Sequence, residues 1–165
     1  MKVYGVTGWK NTGKTGLVTR LVSHFTARGL QVSTIKHAHH SFDVDQPGRD
    51  SFRHREAGAS EVIVASSERV AIMSELRDAP EPGLDELLRR LTAVDLVIVE
   101  GYKAAPHPKI ETWRSVAAHP TLIADSNPSI RAIASDTPLD NPPHPVLDLD
   151  DTAGIAAFIE RETGL

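Results

Sequence analysis

The chain contains no cysteine. Disulfides and thiolate metal sites are therefore excluded, and the composition suits a reducing compartment, so a cytoplasmic protein is expected. No apolar run approaches the ~20 residues of a membrane-spanning helix. Strand-like sequence begins at residue 2, so no signal peptide is expected either. A basic excess is also missing: 18 lysines and arginines face 22 aspartates and glutamates, a net charge of −4. That balance gives no reason to expect a nucleic-acid polymer as partner. There is no internal repeat. The 165 residues, 40% of them apolar, suffice for one domain over residues 1–165 with a single core of two or three layers.

Against these absences stands one strong positive feature. Gly8-Trp9-Lys10-Asn11-Thr12-Gly13-Lys14-Thr15 has the spacing G-x-x-x-x-G-K-[ST] of a phosphate-binding loop. Before it, Lys2 to Thr7 has the Val/Tyr content of a buried strand. After it, Leu17, Val18, Leu21, Val22 and Phe25 recur with a helical period. The motif thus joins a strand to a helix N-terminus, the context its chemistry requires. Gly8 and Gly13 free the backbone to wrap an anion with successive N–H groups, and the positive end of the following helix adds to the field. The Lys14 ammonium reaches β- and γ-phosphates, and the Thr15 hydroxyl can ligate magnesium. Residues Gly8 through Gly16 are therefore expected to bind a nucleotide.

The rest alternates between the two periods. Gly29 is a helix stop, and Leu30 to Lys36, rich in β-branched residues, predicts a second strand. Asp50 or Ser51 could cap a helix ending at Gly58. Glu61 to Ser66 and Arg69 to Ser74 are close enough to pair as an antiparallel hairpin. Leu84, Leu87, Leu88 and Leu91 share one helical face. Val94 to Val99 is a nearly unbroken apolar run, as expected of a central parallel strand. Further strands are expected at Pro108 to Thr112 and Ser129 to Ser135, a surface crossing at Pro138 to Pro145, and a last helix from about Thr152 to Glu162. The fold class is α/β, an open and mostly parallel sheet with flanking helices and its ligand at the carboxyl ends of the strands.

A phosphate-binding loop needs a carboxylate near the magnesium, usually at the end of a neighbouring buried strand. Glu100, directly after Asp95 to Val99, is the candidate, and Lys103 could assist an anionic ligand. The segment from Lys36 to Ser51 leaves the second strand on the same edge and holds His37, His39, His40, Asp43 and Asp45. It can be read as a transition-metal site, as Asp43 or Asp45 joining the magnesium shell beside an anionic pocket of Lys36, His37 and Arg49, or as a polar loop. Position favours the second reading, with Asp45 as a third magnesium ligand. Arg49, Arg53 and Arg55 are conceivable arginine fingers, and a solvated helix face explains them equally well.

With the loop at 8–15, Lys36-His37-Ala38-His39-His40, Asp43 to Ser51, Val64-Ala65-Ser66, Val99-Glu100-Gly101-Tyr102-Lys103 and Ile133 to Leu139 in one chain, the sequence resembles the MobB family. These are the molybdopterin-guanine dinucleotide biosynthesis adapter proteins, and the likeness covers essentially the whole chain. The resemblance implies a GTP-binding protein of weak GTPase activity that uses Mg2+. It would assist a separate MobA-type nucleotidyltransferase, and possibly other cofactor-synthesis proteins, in making the guanine dinucleotide form of the molybdenum cofactor. It also implies a homodimer in which the hairpin at about 61–75 extends the sheet between subunits, which suits exposed β-branched strands. By family motif Gly8 to Gly16 would hold the phosphates and Glu100 would lie by the metal. The N-K-x-D sequence that reads guanine is absent, so guanine preference rests on the family. Asp136, at the end of a strand, could accept from guanine N1 and N2.

Two other functions use the same residues. A small-molecule kinase would share the loop but would bring arginines on a lid, and no long arginine-bearing insertion follows Glu100. A metallochaperone GTPase would hold nickel or zinc on His37, His39 and His40.

Overall fold

The computed structural model describes residues 1–38, 42–117, 119 and 121–165. In chain order the elements are β1 (Lys2–Gly8), α1 (Lys14–Ala27), β2 (Val32–Lys36), α2 (Asp50–Glu56), β3 (Glu61–Ala65), β4 (Val70–Ser74) and α3 (Leu84–Arg90). There follow β5 (Leu96–Glu100), β6 (Lys109–Trp113), single 3-10 turns at Ser115–Ala117 and Ile123–Asp125, β7 (Ile130–Ser135), β8 (Val146–Asp148) and α4 (Thr152–Thr163). The chain falls into two compact units, Ala38–Gly83 and the remainder.

The larger unit is a six-stranded sheet of order β2-β5-β1-β6-β7-β8, every neighbouring pair parallel. Both faces are covered. On one, Tyr4, Val6, Ile98 and Ile110 pack against Leu17, Leu21 and Phe25 of α1 and Ile155 and Ile159 of α4. On the other, Ile35, Val97 and Val99 lie under Leu84, Leu87, Leu88 and Leu91 around α3, and Ile130 and Ile133 lie under Leu122, Ile123 and Ala124. Two-sided burial is why β5 reads as an unbroken apolar run. The expected open parallel sheet is thus present. Its edge strand β8 is only three residues long and lies directly beyond the proline-rich crossing.

β1 sits at the centre, between β5 and β6, and Gly5 within it is forced by packing. A Cβ there would lie 2.5 Å from His107 Nε2 and 2.7 Å from Lys109 Cβ. Both ring nitrogens of His107 are buried without a hydrogen-bond partner among the described residues. Burial, and then the Lys109 charge, push its pKa down to about 4. The imidazole is therefore neutral in the folded chain, while in the unfolded chain it titrates at its ordinary value of 6.5. Between those values only the unfolded chain takes up the proton, so this stabilisation is intact above the higher value and fades as pH falls through the window. Denaturant midpoints of the parent should drop between pH 7 and pH 5, and His107→Gln should drop less; equal slopes would contradict the assignment.

The smaller unit holds α2 and the β3–β4 hairpin, an antiparallel pair with Val62 opposite Met73 and Ile63 opposite Ile72. Val62 is buried, whereas Ile63, Val64, Val70 and Ile72 are exposed. The α2 N-cap position is taken by Arg49 without a side-chain cap, and Asp50 lies in the first turn instead. Arg55 is the hub: it donates to Asp43 (2.8 Å), Asp45 (3.4 Å) and Glu75 (2.6 Å). The Arg55 hydrogen bond, first among several causes, holds the Asp43 carboxyl below its ordinary range. Among the described residues, no helix is long and apolar enough to cross a membrane.

Candidate functional site

The loop expected to hold phosphates leaves the carboxyl end of the central strand and enters α1, and its glycines obey backbone demands. Gly8 adopts φ 145°, and a Cβ on it would lie 2.6 Å from the Thr112 and Thr12 hydroxyls and 2.7 Å from the Thr112 carbonyl. That close approach lets the loop lie against β6, where Gly8 pairs with Thr112. Gly13 caps α1 in the left-handed region at φ 94° without a side-chain cap, so the helix presents bare N–H groups to whatever sits in front of it. Asn11 is also left-handed, at φ 66°. Thr12 fastens the loop to the sheet, its hydroxyl 2.9 Å from the Trp9 carbonyl and 2.7 Å from the Thr112 hydroxyl.

Lys14 folds back along the loop. Its ammonium donates to the Gly8 carbonyl at 3.1 Å and to the Trp9 carbonyl at 2.6 Å. Burial lowers its pKa; Glu100 opposes the shift and Lys103 and Lys36 add to it. A half-buried ammonium crowded by two others is a place prepared for an anion.

Thr15 and Glu100, the two residues expected beside magnesium, lie within hydrogen-bond distance of each other. Glu100 ends β5 in parallel register with Val6 of β1 and Lys36 of β2, and Thr15 of α1 donates to its carboxylate at 2.8 Å. The Glu100 side chain is only 9% exposed, and Lys36 Nζ lies 3.2 Å from it and 3.4 Å from Thr15 Oγ1. Hydroxyl and carboxylate oxygens are the hard donors that magnesium takes. The lysine already places a positive charge beside both. The donor set fits the ion.

The other expected residues are placed as follows. Lys10 is exposed. Asp45 belongs to the smaller unit, where its carboxylate accepts from Ser51 Oγ and the Gln46 N–H as well as from Arg55. Of the histidines proposed for a transition metal, His37 donates its backbone N–H to the Glu100 carbonyl at 2.9 Å; His39 and His40 lie outside the described residues. No group of three or more potential metal ligands occurs among the described residues. Asp136 follows β7, accepts the Ser115 N–H at 2.9 Å, and lines a cleft of about 270 Å³ with Ser135, Thr137, Pro138, Val146, Leu147 and Asp148.

Several neighbours of the loop were invisible to sequence spacing. Thr112 and Arg114 reach it only because β6 pairs with β1. Arg114 Nε would lie 2.9 Å from a Cβ at Gly13, and Nη2 of Arg114 and of Arg20 each stand 3.8 Å from Asp150. The Trp9 indole stacks on His119 at 3.7 Å and donates to the Thr121 carbonyl. Glu111, fully buried on β6, accepts the N–H groups of Ile123 and Ala124 at 2.9 and 2.8 Å and so fixes the second 3-10 turn. No motif marks these contacts.

Comparison with known proteins gives the chain's relatives. The family model for molybdopterin guanine dinucleotide synthesis protein B matches residues 3–136. The molybdopterin-guanine dinucleotide biosynthesis adapter protein of Escherichia coli (strain K12) is 42% identical over 155 residues, covering 92% of this chain and 87% of that protein. Its namesake from Haemophilus influenzae is 42% identical over 160 residues, covering 95% and 86%. Among solved structures, a MobB protein homolog from Bacillus stearothermophilus superposes with a TM-score of 0.73 at 29% identity, covering 99% of each chain.

Proposed function

The chain belongs to the molybdopterin guanine dinucleotide synthesis protein B family, and we propose that it acts as a GTP-binding adapter in the synthesis of the guanine dinucleotide form of the molybdenum cofactor. The observation that carries the nucleotide reading is the Lys14 ammonium folded over the Gly8 and Trp9 carbonyls, one helix start away from the Thr15–Glu100 pair. A triphosphate laid on this loop meets the main-chain N–H groups of residues 8–16, with the lysine at its β- and γ-phosphates. Thr15 and Glu100 would hold Mg2+, which neutralises phosphate charge when bound. The Asp45 carboxylate is engaged by Arg55 and Ser51 within the smaller unit. The guanine base is assigned to the cleft beside Asp136, whose carboxylate would accept from N1 and N2 while Ser115 holds it in place.

Turnover is expected to be slow. Arg55, one of the three candidate fingers, is engaged by three carboxylates, and an arginine finger supplies a large part of the rate in this chemistry. The adapter therefore serves a MobA-type nucleotidyltransferase rather than performing the nucleotide transfer itself. The exposed apolar face of the hairpin, with Ile63 opposite Ile72 and Ala65 opposite Val70, supports a homodimer through that element.

Calorimetric titration of GTP and of ATP, each with and without magnesium, tests this function. Micromolar GTP binding strengthened by magnesium, with ATP weaker, is expected. ATP-dependent phosphorylation of a small metabolite would favour the kinase instead, and stoichiometric nickel or zinc lost on replacing His37, His39 and His40 would favour the metallochaperone. A narrower prediction concerns Glu100→Gln. Magnesium-free GTP affinity should hold or improve, because a negative charge leaves the cradle, while the gain from magnesium should shrink about tenfold. An undiminished gain would remove Glu100 from the metal.

A further inference from the structure

We propose that Lys103 is the residue that distinguishes nucleoside triphosphate from diphosphate, and that Trp9, on which its ammonium now rests, reports that distinction. The inference rests on the nucleotide-binding reading above and goes beyond it by assigning the terminal phosphate to a residue outside the loop motif.

Lys103 is held where it can do this. The chain leaves Glu100 through Gly101 at φ 93° and Tyr102 at φ 46°. A Cβ at Gly101 would meet His37 Cβ at 3.0 Å, and the Gly101 N–H donates to the Val6 carbonyl. Two residues on, the Lys103 carbonyl accepts from Asn127 Nδ2 at 2.7 Å, and the Ala105 carbonyl accepts from the buried Lys109 ammonium. The backbone is thereby pinned to the sheet, and the long side chain is left to reach the loop.

There its Nζ stands 4.0 Å from the centroid of the Trp9 ring. Trp9 is the first variable residue of the phosphate-binding motif, and its carbonyl is one of the two that hold Lys14. Lys103 therefore works at the end of the loop where the motif lysine meets β- and γ-phosphates, rather than at the helix start. Lys103 and Lys36 both bear electrostatically on the Lys14 ammonium, with the buried carboxylates of Glu100 beside Lys36 and of Glu111 within the field of Lys103. Lys36 is committed to Glu100 and Lys14 to the loop. Lys103 rests on an aromatic face, an attraction weaker than the charge-assisted contact a phosphate oxygen offers. A triphosphate brings about one to two more negative charges than a diphosphate, and Lys103, resting on the Trp9 ring, is placed to meet them.

Because the chain has two tryptophans, Trp113→Phe makes Trp9 the sole indole. In that background a non-hydrolysable GTP analogue and GDP are titrated with magnesium, by calorimetry and by Trp9 fluorescence. Lys103→Met, which keeps the stem and drops the charge, should weaken the triphosphate about tenfold and leave GDP within twofold, and Lys103→Arg should restore most of the loss. Trp9 emission should shift on triphosphate but not on GDP, and Lys103→Met should abolish that difference. Equal losses for both nucleotides, or no loss for either, would overturn the role of Lys103 while leaving the nucleotide site standing. A parent that bound neither nucleotide would overturn both.

Discussion

Replacing Lys14 by alanine removes about 2–4 kcal/mol of triphosphate binding, a loss of roughly thirtyfold to several hundredfold, with the fold intact. The ammonium sits half-buried on two loop carbonyls at 3.1 and 2.6 Å, and burial lowers its pKa. Its charge is therefore poorly solvated before an anion arrives, and a phosphate oxygen supplies what water does not. Charge-assisted contacts in such water-poor cradles are among the strongest available to a protein. Because anion binding favours the protonated amine, affinity should also decline as pH rises toward the lysine range. Side-by-side calorimetry of parent and Lys14→Ala checks the loss, and far-ultraviolet dichroism checks the fold. Unaltered affinity in the variant would detach the motif from phosphate.

Gly8→Ala is expected to damage both stability and binding. Its φ of 145° lies where side chains are rarely tolerated, and the new Cβ would stand 2.6 Å from two hydroxyls and 2.7 Å from a backbone carbonyl. Backbone strain and overpacking each cost about 1–3 kcal/mol. The flexible hydroxyls can turn aside, but the Thr112 carbonyl belongs to the central sheet and cannot. The loop must therefore lift from β6, breaking the Thr12–Thr112 contact and moving the Trp9 carbonyl away from Lys14. A lowered denaturant midpoint with an unchanged slope, together with lost nucleotide binding, is the expected pair of results. A variant as stable as the parent would show that the approach to Thr112 is not tight.

Much of this was legible in the residues, and the reasons are physical. The loop motif is local: strand, turn and helix start are consecutive, so composition and period suffice to place Gly8, Gly13, Lys14 and Thr15. Glu100 stands out as a candidate because one carboxylate ends an apolar run at the edge where the loop lies. What escaped depends on parallel register between segments some hundred residues apart. That Gly8 lies opposite Thr112, or that Lys103 reaches Trp9, follows from strand order β5-β1-β6, which no short pattern encodes. β8 escaped for a different reason: three residues at a sheet edge are too short a run to show a strand period beside the prolines before them. Position at the strand edge suggests Asp43 or Asp45 as a magnesium ligand, and each also pairs with Arg55, a partner that sequence proximity alone does not single out.

The most direct test is a crystal structure of the full chain grown with magnesium and a non-hydrolysable GTP analogue. The account predicts the phosphates cupped by the amides of residues 8–16, with Lys14 turned from the Gly8 carbonyl toward the β- and γ-phosphates and the ion between Thr15 and Glu100. A nucleotide bound elsewhere, with Lys14 still resting on the loop carbonyls, would contradict it.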